Sequence, residues 1–247
     1  MSRSESRYAD SAGVPMTVTL GDWLDAGPYT LALSAGFFGF FAHAGVLAAL
    51  EEAGLPPAAV SGASAGALTG GLWAAGLPAA RLSELYAGLS KADFWDPAPG
   101  LGLLRGRRFR QLVAGVAGNR TVEDCGVPLR ISVFDGVAAR TRTAAGWQLA
   151  DAIYASCAVP LLFQPLRRGL RLFWDGGIRD RNALHGVEGR VLAHALPGGS
   201  SPRHIPVLRI PGLPRLSPDA LGDGPKAASV AKKATLAALD RSVEGPA

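Results

Sequence analysis

The apolar positions near the start of the chain form short runs that glycines interrupt. Tyr29–Leu33 is apolar except at position 30, and a second apolar stretch begins near Ala42 and reaches Leu50. Leu31–Leu50 has the length of a membrane span, which needs about 20 apolar residues, but glycines at positions 36, 39 and 45 divide it. The pattern therefore predicts a buried strand over Tyr29–Leu33, a turn, and a buried helix from near Ala42, rather than a span.

Strand-like and helix-like segments alternate along the rest of the chain. The predicted strands are Ala59–Ser61, Leu129–Phe134, Leu170–Trp174, Val191–Ala195 and Val207–Ile210. The predicted helices are Ala65–Ala75, Pro78–Leu89, Phe109–Val116, Ala150–Cys157 and Lys226–Arg241, and Asp93–Arg108, rich in Pro and Gly, is predicted as a long loop. This alternation favours an α/β fold whose mainly parallel sheet is covered on both faces. We expect a tail and lead-in over residues 1–28 and a single domain over residues 29–247.

Composition narrows the class of protein. Of the 247 residues, 48% are hydrophobic and 18% charged, which fits one well-filled core and excludes dominant disorder. The two cysteines cannot make a disulfide scaffold; Cys125 and Cys157 are expected to be reduced thiols of a cytoplasmic protein, with a mutual bridge left open. No CxxC or HExxH spacing occurs, so we expect neither a metal nor another cofactor. The polar segment Met1–Ser11 is not followed by the apolar stretch of a secretory signal.

The chain carries a formal net charge of +5, and 21 of its 25 basic residues are arginine. Arginine binds phosphate and carboxylate groups, so an anionic lipid surface is compatible with this excess, although ordinary surface composition also explains it. Arg105, Arg107, Arg108 and Arg110 form the best candidate for peripheral membrane contact, with Phe109 entering the interface; a solvated helix start is the alternative. No basic and aromatic motif supports nucleic-acid binding.

The segment from Ser61 to Leu68 carries the clearest chemical signal. It contains Gly62-Ala-Ser64-Ala-Gly66, a Gly-x-Ser-x-Gly motif between an apolar strand and a small-residue helix. The chain must reverse sharply there, and glycines on both sides of the serine remove side chains that would collide. The turn presents Ser64 at the helix N-terminus, where the Ala65 amide and the helix dipole favour negative charge. We predict that Ser64 is a nucleophile; a purely structural helix start is the alternative.

A nucleophilic serine needs a group that accepts its proton. Asp175 is one candidate, because it ends the apolar segment 172–174 and is followed by Gly176-Gly177, which places a carboxylate at a strand end. A structural aspartate at the start of a Gly-Gly turn is the alternative. His43 shares a helical face with apolar residues and is expected to be structural. The later histidines, which fit the chain order of an α/β-hydrolase triad, are His185, His194 and His204.

Five motifs in sequence order resemble those of the patatin-like phospholipases. They are Ser34-Ala-Gly36-Phe-Phe-Gly39, His43-Ala-Gly45-Val-Leu, Gly62-Ala-Ser64-Ala-Gly66, Ala155-Ser-Cys-Ala-Val-Pro160 and Asp175-Gly-Gly177, within roughly residues 29–180. The resemblance implies a three-layer α/β/α fold and a hydrolase that cleaves acyl esters of lipids, such as phospholipids and lysophospholipids. It also implies a Ser/Asp dyad without a catalytic histidine, in which Ser64 is the nucleophile and Asp175 its base.

The loop before the first long helix departs from this family. Members usually carry three consecutive glycines, any residue, a basic residue and another glycine, whereas residues 35–40 here read Ala-Gly-Phe-Phe-Gly-Phe. Gly36 is kept, and Gly39 stands in place of the basic residue. The amides of Gly36 and Phe37, with that of Ala65, are expected to form the oxyanion hole, although phenylalanine does not readily adopt a positive φ. The candidates for an acyl-chain slot, at least two of which we expect to be core residues, are Phe37, Phe38, Phe40 and Phe41.

Two other functions stay open at the level of sequence. An α/β-hydrolase esterase would use a histidine in a Ser/Asp/His triad, but Ser64 lies early for that fold and no HGGG-like loop precedes it. A weakly active patatin-like protein that binds lipid would be compatible with the altered glycine loop. The expected partner is a lipid or another acyl ester in each case, and the sequence leaves the ester, its headgroup and the oligomeric state open.

Overall fold

A computed structural model describes residues 18–198, 202, 204–218 and 220–243, so the expected tail Met1–Ser11 lies outside it. The strands are β1 (Thr30–Leu33), β2 (Ala59–Gly62), β3 (Gly102–Leu104), β4 (Leu129–Asp135), β5 (Arg140–Thr143), β6 (Leu161–Phe163), β7 (Leu166–Arg168), β8 (Arg171–Asp175), β9 (Val191–His194) and β10 (Val207–Leu208). The helices are α1 (Leu20–Asp25), α2 (Phe40–Glu52), α3 (Ala65–Ala74), α4 (Ala79–Ala87), α5 (Arg107–Ala117), α6 (Leu149–Ser156) and α7 (Gly224–Leu239), with 3₁₀ turns at Lys91–Asp93, Gly176–Ile178 and Leu221–Asp223.

The central sheet has eight strands in the order β10-β9-β1-β2-β4-β8-β7, with β5 paired to β4. Strands β10, β9, β1, β2 and β4 pair in parallel, whereas β5, β8 and β7 add antiparallel pairs. Strands β3 and β6 form a separate parallel ribbon of two strands. The fold is therefore the predicted three-layer α/β architecture with a mainly parallel central sheet.

Strand β1 shows how the sheet is covered on both faces. Leu31 and Leu33 belong to the large hydrophobic cluster that contains the apolar side chains of α2, α3, α4 and α7. Ala32, between them, belongs to a smaller cluster with Val191 and Ala193 of β9. Successive side chains of a strand point to opposite faces, so both faces of β1 are buried.

The apolar run Leu31–Leu50 divides into β1, a turn and α2, as predicted. α2 begins at Phe40 rather than near Ala42, and α1 lies within the expected lead-in. Among the described residues, no helix combines the length and the apolar character that crossing a bilayer requires.

The expected loop Asp93–Arg108 is wrong in part, because it contains β3 and because α5 begins at Arg107 rather than at Phe109. Asp96 explains the earlier start of the helix. Its carboxylate accepts hydrogen bonds from the backbone N–H of Gly106 (2.9 Å) and from that of the second helical residue (3.1 Å). A cap that lies ten residues upstream satisfies the free N–H groups of the first turn, and no local pattern contains it.

A buried histidine pair ties β1 to α2 and β9. The Nδ1 atoms of His43 and His194 are 2.8 Å apart, and His43 Nε2 lies 2.9 Å from the Ser34 carbonyl oxygen. Because a carbonyl only accepts, His43 carries its proton on Nε2, and its Nδ1 accepts the Nδ1–H of His194. Burial lowers the pKa of both rings, that of His43 to about 4, so both are neutral at pH 7. His43 is structural, as predicted.

Helices α2 and α7 pack closely because both present small residues where they meet. A Cβ added at Gly45 would lie 2.2 Å from the carbonyl oxygen of Ala228 and 2.9 Å from the Cβ of Ala231. The obstacle is mostly backbone, which cannot turn aside as the end of a side chain can. This contact holds α2, and with it the loop 34–39 that leads into its first turn.

Gly45→Ala is expected to lower the free energy of unfolding by about 1–3 kcal/mol, because the added methyl group forces α2 and α7 apart. Gly115→Ala is the matched control: the residue lies in the exposed part of α5, where a Cβ meets no atom within 4 Å. The control is expected to be neutral or to stabilise by up to about 1 kcal/mol. Urea unfolding measures both variants, and equal stabilities would contradict the close contact.

Candidate active site

Ser64 lies in a strained turn between β2 and α3. Its φ is +52° and its ψ is −118°, a conformation that a non-glycine residue keeps only when its surroundings enforce it. The flanking glycines permit this turn. A Cβ at Gly62 would lie 2.5 Å from the Gly66 carbonyl carbon, and one at Gly66 would lie 1.9 Å from the Leu33 carbonyl oxygen. The Gly-x-Ser-x-Gly motif is thus explained by close approach of backbone to backbone.

The end of α6 holds the backbone of Ser64 on both sides. The buried Ser156 Oγ accepts the Ser64 N–H at 2.9 Å and donates to the carbonyl oxygen of Ser132 in β4 at 2.7 Å. The Cys157 thiol donates to the Ser64 carbonyl oxygen, with the sulfur 3.2 Å away. The strained turn is therefore fixed by side chains that are distant in sequence.

Asp175 lies at the end of β8, and its side chain lines the same cavity as Ser64, close enough that hydrogen bonding by Ser64 lowers the pKa of its carboxyl group. It also accepts the N–H of Gly177 at 2.7 Å, and its own N–H donates to the carbonyl oxygen of Ala158 at 3.0 Å. Glycine is needed after it, since a Cβ at Gly176 would lie 2.1 Å from a carbonyl oxygen of β4. The two side chains that the sequence singled out, more than a hundred positions apart, thus meet.

Burial raises the pKa of Asp175 from 3.8 to about 6. The hydrogen bond from Ser64, the N–H of Gly177 and the charge of Arg181 each lower it, and burial outweighs them. The carboxylate is only 6% exposed. Its proton affinity is therefore higher than that of an ordinary aspartate, which suits a group that must accept a proton from a hydroxyl.

The backbone amides of Gly36, Phe37 and Ala65 have no hydrogen-bond acceptor in the described part of the chain, and all three residues line the cavity beside Ser64. The positive φ of this loop falls on Phe38, at +52°, and not on Phe37. Leu196 packs on the loop. A Cβ at Gly36 would lie 2.6 Å from the Leu196 Cδ1, and one at Gly39 would lie 2.0 Å from it. Leu196 therefore occupies the space that a side chain at position 39 would need.

An apolar cavity of about 140 Å³ begins at Ser64. Its walls come from the glycine loop, α3, the segment 89–112 and the segment 157–163, and apart from Ser64 and Cys157 they are apolar. The lining residues are Gly36, Phe37, Phe38, Phe40, Ser64, Ala65, Leu68, Leu89, Phe94, Trp95, Leu104, Phe109, Leu112, Cys157, Val159, Leu162, Phe163 and Pro218. Such a cavity suits a hydrocarbon chain.

Three of the four phenylalanines expected to form an acyl-chain slot line this cavity, and Phe41, 1% exposed, is a core residue. Phe40 is buried as well, so two of the four have the expected core burial. The expectation that Phe109 enters a membrane is wrong. Its ring is 9% exposed and packs against Tyr154 and Phe163 on the cavity wall.

A second and more polar cavity of about 760 Å³ shares Ser64 and the glycine loop with the first. Asp175, Arg181 and Arg215 lie on its walls. The Arg181 guanidinium donates to the Pro197 carbonyl oxygen at 2.8 Å, while its buried Nε has no partner in the described ranges. Ser64 thus borders both an apolar cavity and a cavity that carries two positive side chains.

No histidine lines either cavity within the described residues. His194 is buried against His43, and His185 lies elsewhere, beside the arginines of β5. His204 is exposed and has a φ of +66°. The histidines that fit a triad by chain order are therefore not brought to Ser64.

The sequence reasoning missed Ser156, Arg181 and Arg215. Ser156 stood in a motif that pointed to the family but carried no role, and the arginines have no local signal. Both cysteines are free, as expected.

Residues 31–187 match the family described as patatin-like phospholipase, and this match covers more than half of the chain. The chain belongs to the patatin-like phospholipase family. The resemblance drawn from the five motifs is thereby confirmed. Members of this family are lipid acyl hydrolases, which supports a hydrolase of lipid esters in general terms.

Relatives and structures agree with this placement. An uncharacterized NTE family protein of Mycobacterium tuberculosis is 33% identical over 158 residues, covering 61% of this chain and 42% of the relative. The neuropathy target esterase of Drosophila grimshawi is 30% identical over 122 residues, covering 44% of this chain and 8% of that protein. VipD from Legionella pneumophila has the same fold, with a TM-score of 0.65 at 14% identity over 86% of this chain and 67% of that chain. The chain thus spans less than half the length of the Mycobacterium and Drosophila relatives.

Ser156→Ala removes the acceptor for the Ser64 N–H and is expected to cost about 1–3 kcal/mol of folding free energy. It should also lower kcat for p-nitrophenyl esters by about tenfold or more with little change in KM, because the turn at Ser64 loosens while the cavities keep their walls. Ser83→Ala is the matched control, since the Ser83 hydroxyl likewise donates to a backbone carbonyl oxygen, that of Ala79, at 3.0 Å. An unchanged kcat in a destabilised Ser156→Ala variant would contradict the positioning role.

Proposed function

We propose that this chain is a serine acyl hydrolase that cleaves carboxylic ester bonds of lipids through an acyl-serine intermediate, with Ser64 and Asp175 as its catalytic dyad. The observation that carries the proposal is the closeness of these two side chains: they line one cavity, Ser64 lowers the pKa of Asp175, and Ser64 also lines the apolar cavity. Acyl transfer requires a nucleophile, a group that accepts its proton and donors for the oxyanion. The strained serine, the buried carboxylate and the free amides beside them match these three needs.

In the first step, the Ser64 hydroxyl attacks the ester carbonyl carbon while Asp175 accepts its proton. The negative charge that develops on the carbonyl oxygen is stabilised by the amides of Gly36, Phe37 and Ala65, each worth roughly 3 kcal/mol of transition-state stabilisation. The N-terminus of α3 adds a favourable dipole. Collapse of the tetrahedral intermediate passes the proton from Asp175 to the departing alcohol and leaves acyl-Ser64.

In the second step, Asp175 takes a proton from a water molecule that attacks the acyl-enzyme, and the same amides hold the new oxyanion. The proton then returns to Ser64 Oγ as the fatty acid leaves. The raised pKa of Asp175 helps at both proton transfers, since a base of pKa about 6 is better matched to them than one of pKa 3.8.

The two cavities bind different parts of the substrate. The acyl chain occupies the apolar cavity, and the alcohol part of the ester extends into the polar cavity, where Arg181 and Arg215 favour an anionic group such as a phosphate. This charge is supplied from outside the glycine loop, which lacks the basic residue usual in the family. A phospholipid or lysophospholipid fits both halves.

The alternatives are less well supported. A Ser/Asp/His triad would need a histidine near Asp175, and the three that chain order allows lie elsewhere in the described structure. A lipid-binding protein of weak activity would follow if the glycine loop could not hold an oxyanion, but its free amides argue for a working hole.

Ser64→Ala and Asp175→Asn are each expected to lower kcat/KM for short p-nitrophenyl esters by at least about a thousandfold while the fold is retained, because each removes one half of the dyad. A fluorophosphonate probe should label the wild type and not Ser64→Ala. His185→Ala and His204→Ala are the controls and should keep their activity. Full activity in Ser64→Ala, or loss of activity in a histidine control, would overturn the assignment.

The kcat/KM of the wild type is expected to rise with pH and to level off above an inflection near pH 6, because burial raises the pKa of Asp175 to about 6 and only the ionised form is a base. A profile on a non-ionisable ester measures this. An inflection near pH 4 would show that the base is an ordinary exposed carboxylate.

The pH dependence of the free energy of unfolding provides a separate test of the raised pKa of Asp175. A raised pKa means that the protonated Asp175 contributes stability below about pH 4, and that this contribution is lost as the pH rises through about 6. Asp175→Asn keeps a neutral side chain at every pH. It should therefore be more stable than the wild type at pH 8, by up to about 3 kcal/mol, and nearly equal to it at pH 3.

A further inference from the structure

The ribbon of β3 and β6 carries both buried and exposed apolar side chains. Leu104 and Phe163 are paired across the ribbon and line the apolar cavity that begins at Ser64. Leu101, Leu103 and Leu161 are instead turned to solvent, with exposures of 59%, 52% and 83%. Leu161 is paired with Gly102, which lies between Leu101 and Leu103 in the sequence, so the backbones of the three leucines lie close together at one end of the ribbon.

Single exposed apolar side chains are ordinary, whereas a group of them beside a ligand cavity calls for an explanation. Trp95 extends the group, since it is 40% exposed, lines the same cavity and precedes the segment 96–98 that pairs with residues 103–105. Leucine and tryptophan side chains are typical of surfaces that enter the boundary region of a bilayer.

Positive charge lies next to these leucines. Arg105, Arg107 and Arg108 follow β3 directly, and all three are exposed. None of them forms an ion pair with a carboxylate in the part of the chain that the structure describes. Asp96 accepts backbone N–H groups at the start of α5, so its oxygens serve the helix and not the guanidinium groups. Arg110, by contrast, is paired with Asp151.

We propose that Trp95, Leu101, Leu103 and Leu161, with the three arginines, form a docking surface for a bilayer that contains anionic phospholipids. The leucines and Trp95 enter the acyl boundary while the guanidinium groups contact lipid phosphates. The inference builds on the proposed function, because the inner side of the same ribbon walls the cavity assigned to the acyl chain. Docking there brings that cavity against the lipid from which the chain must come.

The combination of features favours a bilayer over a protein partner. An apolar patch that meets a second copy of this chain would bring the arginines of both copies together, since symmetric dimers bury the same patch on each subunit. Phosphate groups at a bilayer surface satisfy those arginines instead. Anionic lipid thus meets both the apolar and the charged half of the surface.

The test measures binding of full-length Ser64→Ala, which cannot consume the lipid, to vesicles of phosphatidylcholine alone and with phosphatidylglycerol added. Sedimentation should show binding to the anionic vesicles that salt weakens, and little binding to the neutral ones. Leu103→Ser and Leu161→Ser, each added separately to Ser64→Ala, should weaken binding by at least about tenfold. Each removes the free energy gained when one leucine side chain moves from water into the bilayer. Adding Arg105→Gln and Arg107→Gln should weaken binding by about fivefold each.

Two substitutions elsewhere serve as matched controls. Leu170→Ser removes a leucine that is 90% exposed at the turn between β7 and β8, and Arg140→Gln removes an exposed arginine of β5. Both should bind as the parent does. Circular dichroism and thermal unfolding establish that every variant is folded.

Equal binding to neutral and anionic vesicles would overturn the proposal, and so would equal losses in the controls and in the surface variants. If the surface substitutions changed the mass of the protein in sedimentation but not its binding to vesicles, the surface would belong to a contact with a second copy of the chain. That result would also overturn the proposal. The proposed hydrolase function is judged separately: ester hydrolysis without vesicle binding leaves the dyad standing, and vesicle binding without hydrolysis leaves the docking surface standing.

Discussion

The geometry of the site depends on the strained turn at Ser64 and on what keeps it strained. A positive φ at a serine costs free energy, so the surrounding contacts must outweigh it. Gly66 lets α3 press against the carbonyl oxygen of Leu33, and Ser156 and Cys157 hold the two peptide groups of the serine. If any of these contacts relaxed, the hydroxyl would turn away from its carboxylate partner.

The segment at the end of α6 links the two halves of the proposed dyad. Ser156 and Cys157 bind the backbone of Ser64, and the next residue, Ala158, accepts the N–H of Asp175. Strand β4 completes the link, because the Ser132 carbonyl oxygen accepts the hydrogen bond from the Ser156 hydroxyl and lies against Gly176. The proposed nucleophile and base are therefore anchored to the same few backbone groups, which explains how residues from two different strands keep their side chains close together.

Features with a local cause could be predicted from the sequence. The glycines around Ser64 and after Asp175 are required by backbone contact, so their spacing was informative, and apolar runs located β1, β2, β4 and most helices. Features created by tertiary contact could not be predicted. Asp96 caps α5 from across a loop, His194 reaches His43 from another strand, and the polar strand β5 exists because β4 offers it backbone partners. Phe109 was misjudged for the same reason: its burial depends on Tyr154 and Phe163.

Leu196 packs on the altered glycine loop. Its Cδ1 lies where side chains at positions 36 and 39 would project, so this loop cannot carry a basic residue at position 39 without displacing it. The positive charge near the serine comes instead from Arg181 and Arg215, which line the polar cavity together with Ser64. The Arg181 guanidinium group also lowers the pKa of Asp175. Because an arginine beside the proposed base would weaken it as a proton acceptor, burial of Asp175 must outweigh that charge, and its raised pKa indicates that it does.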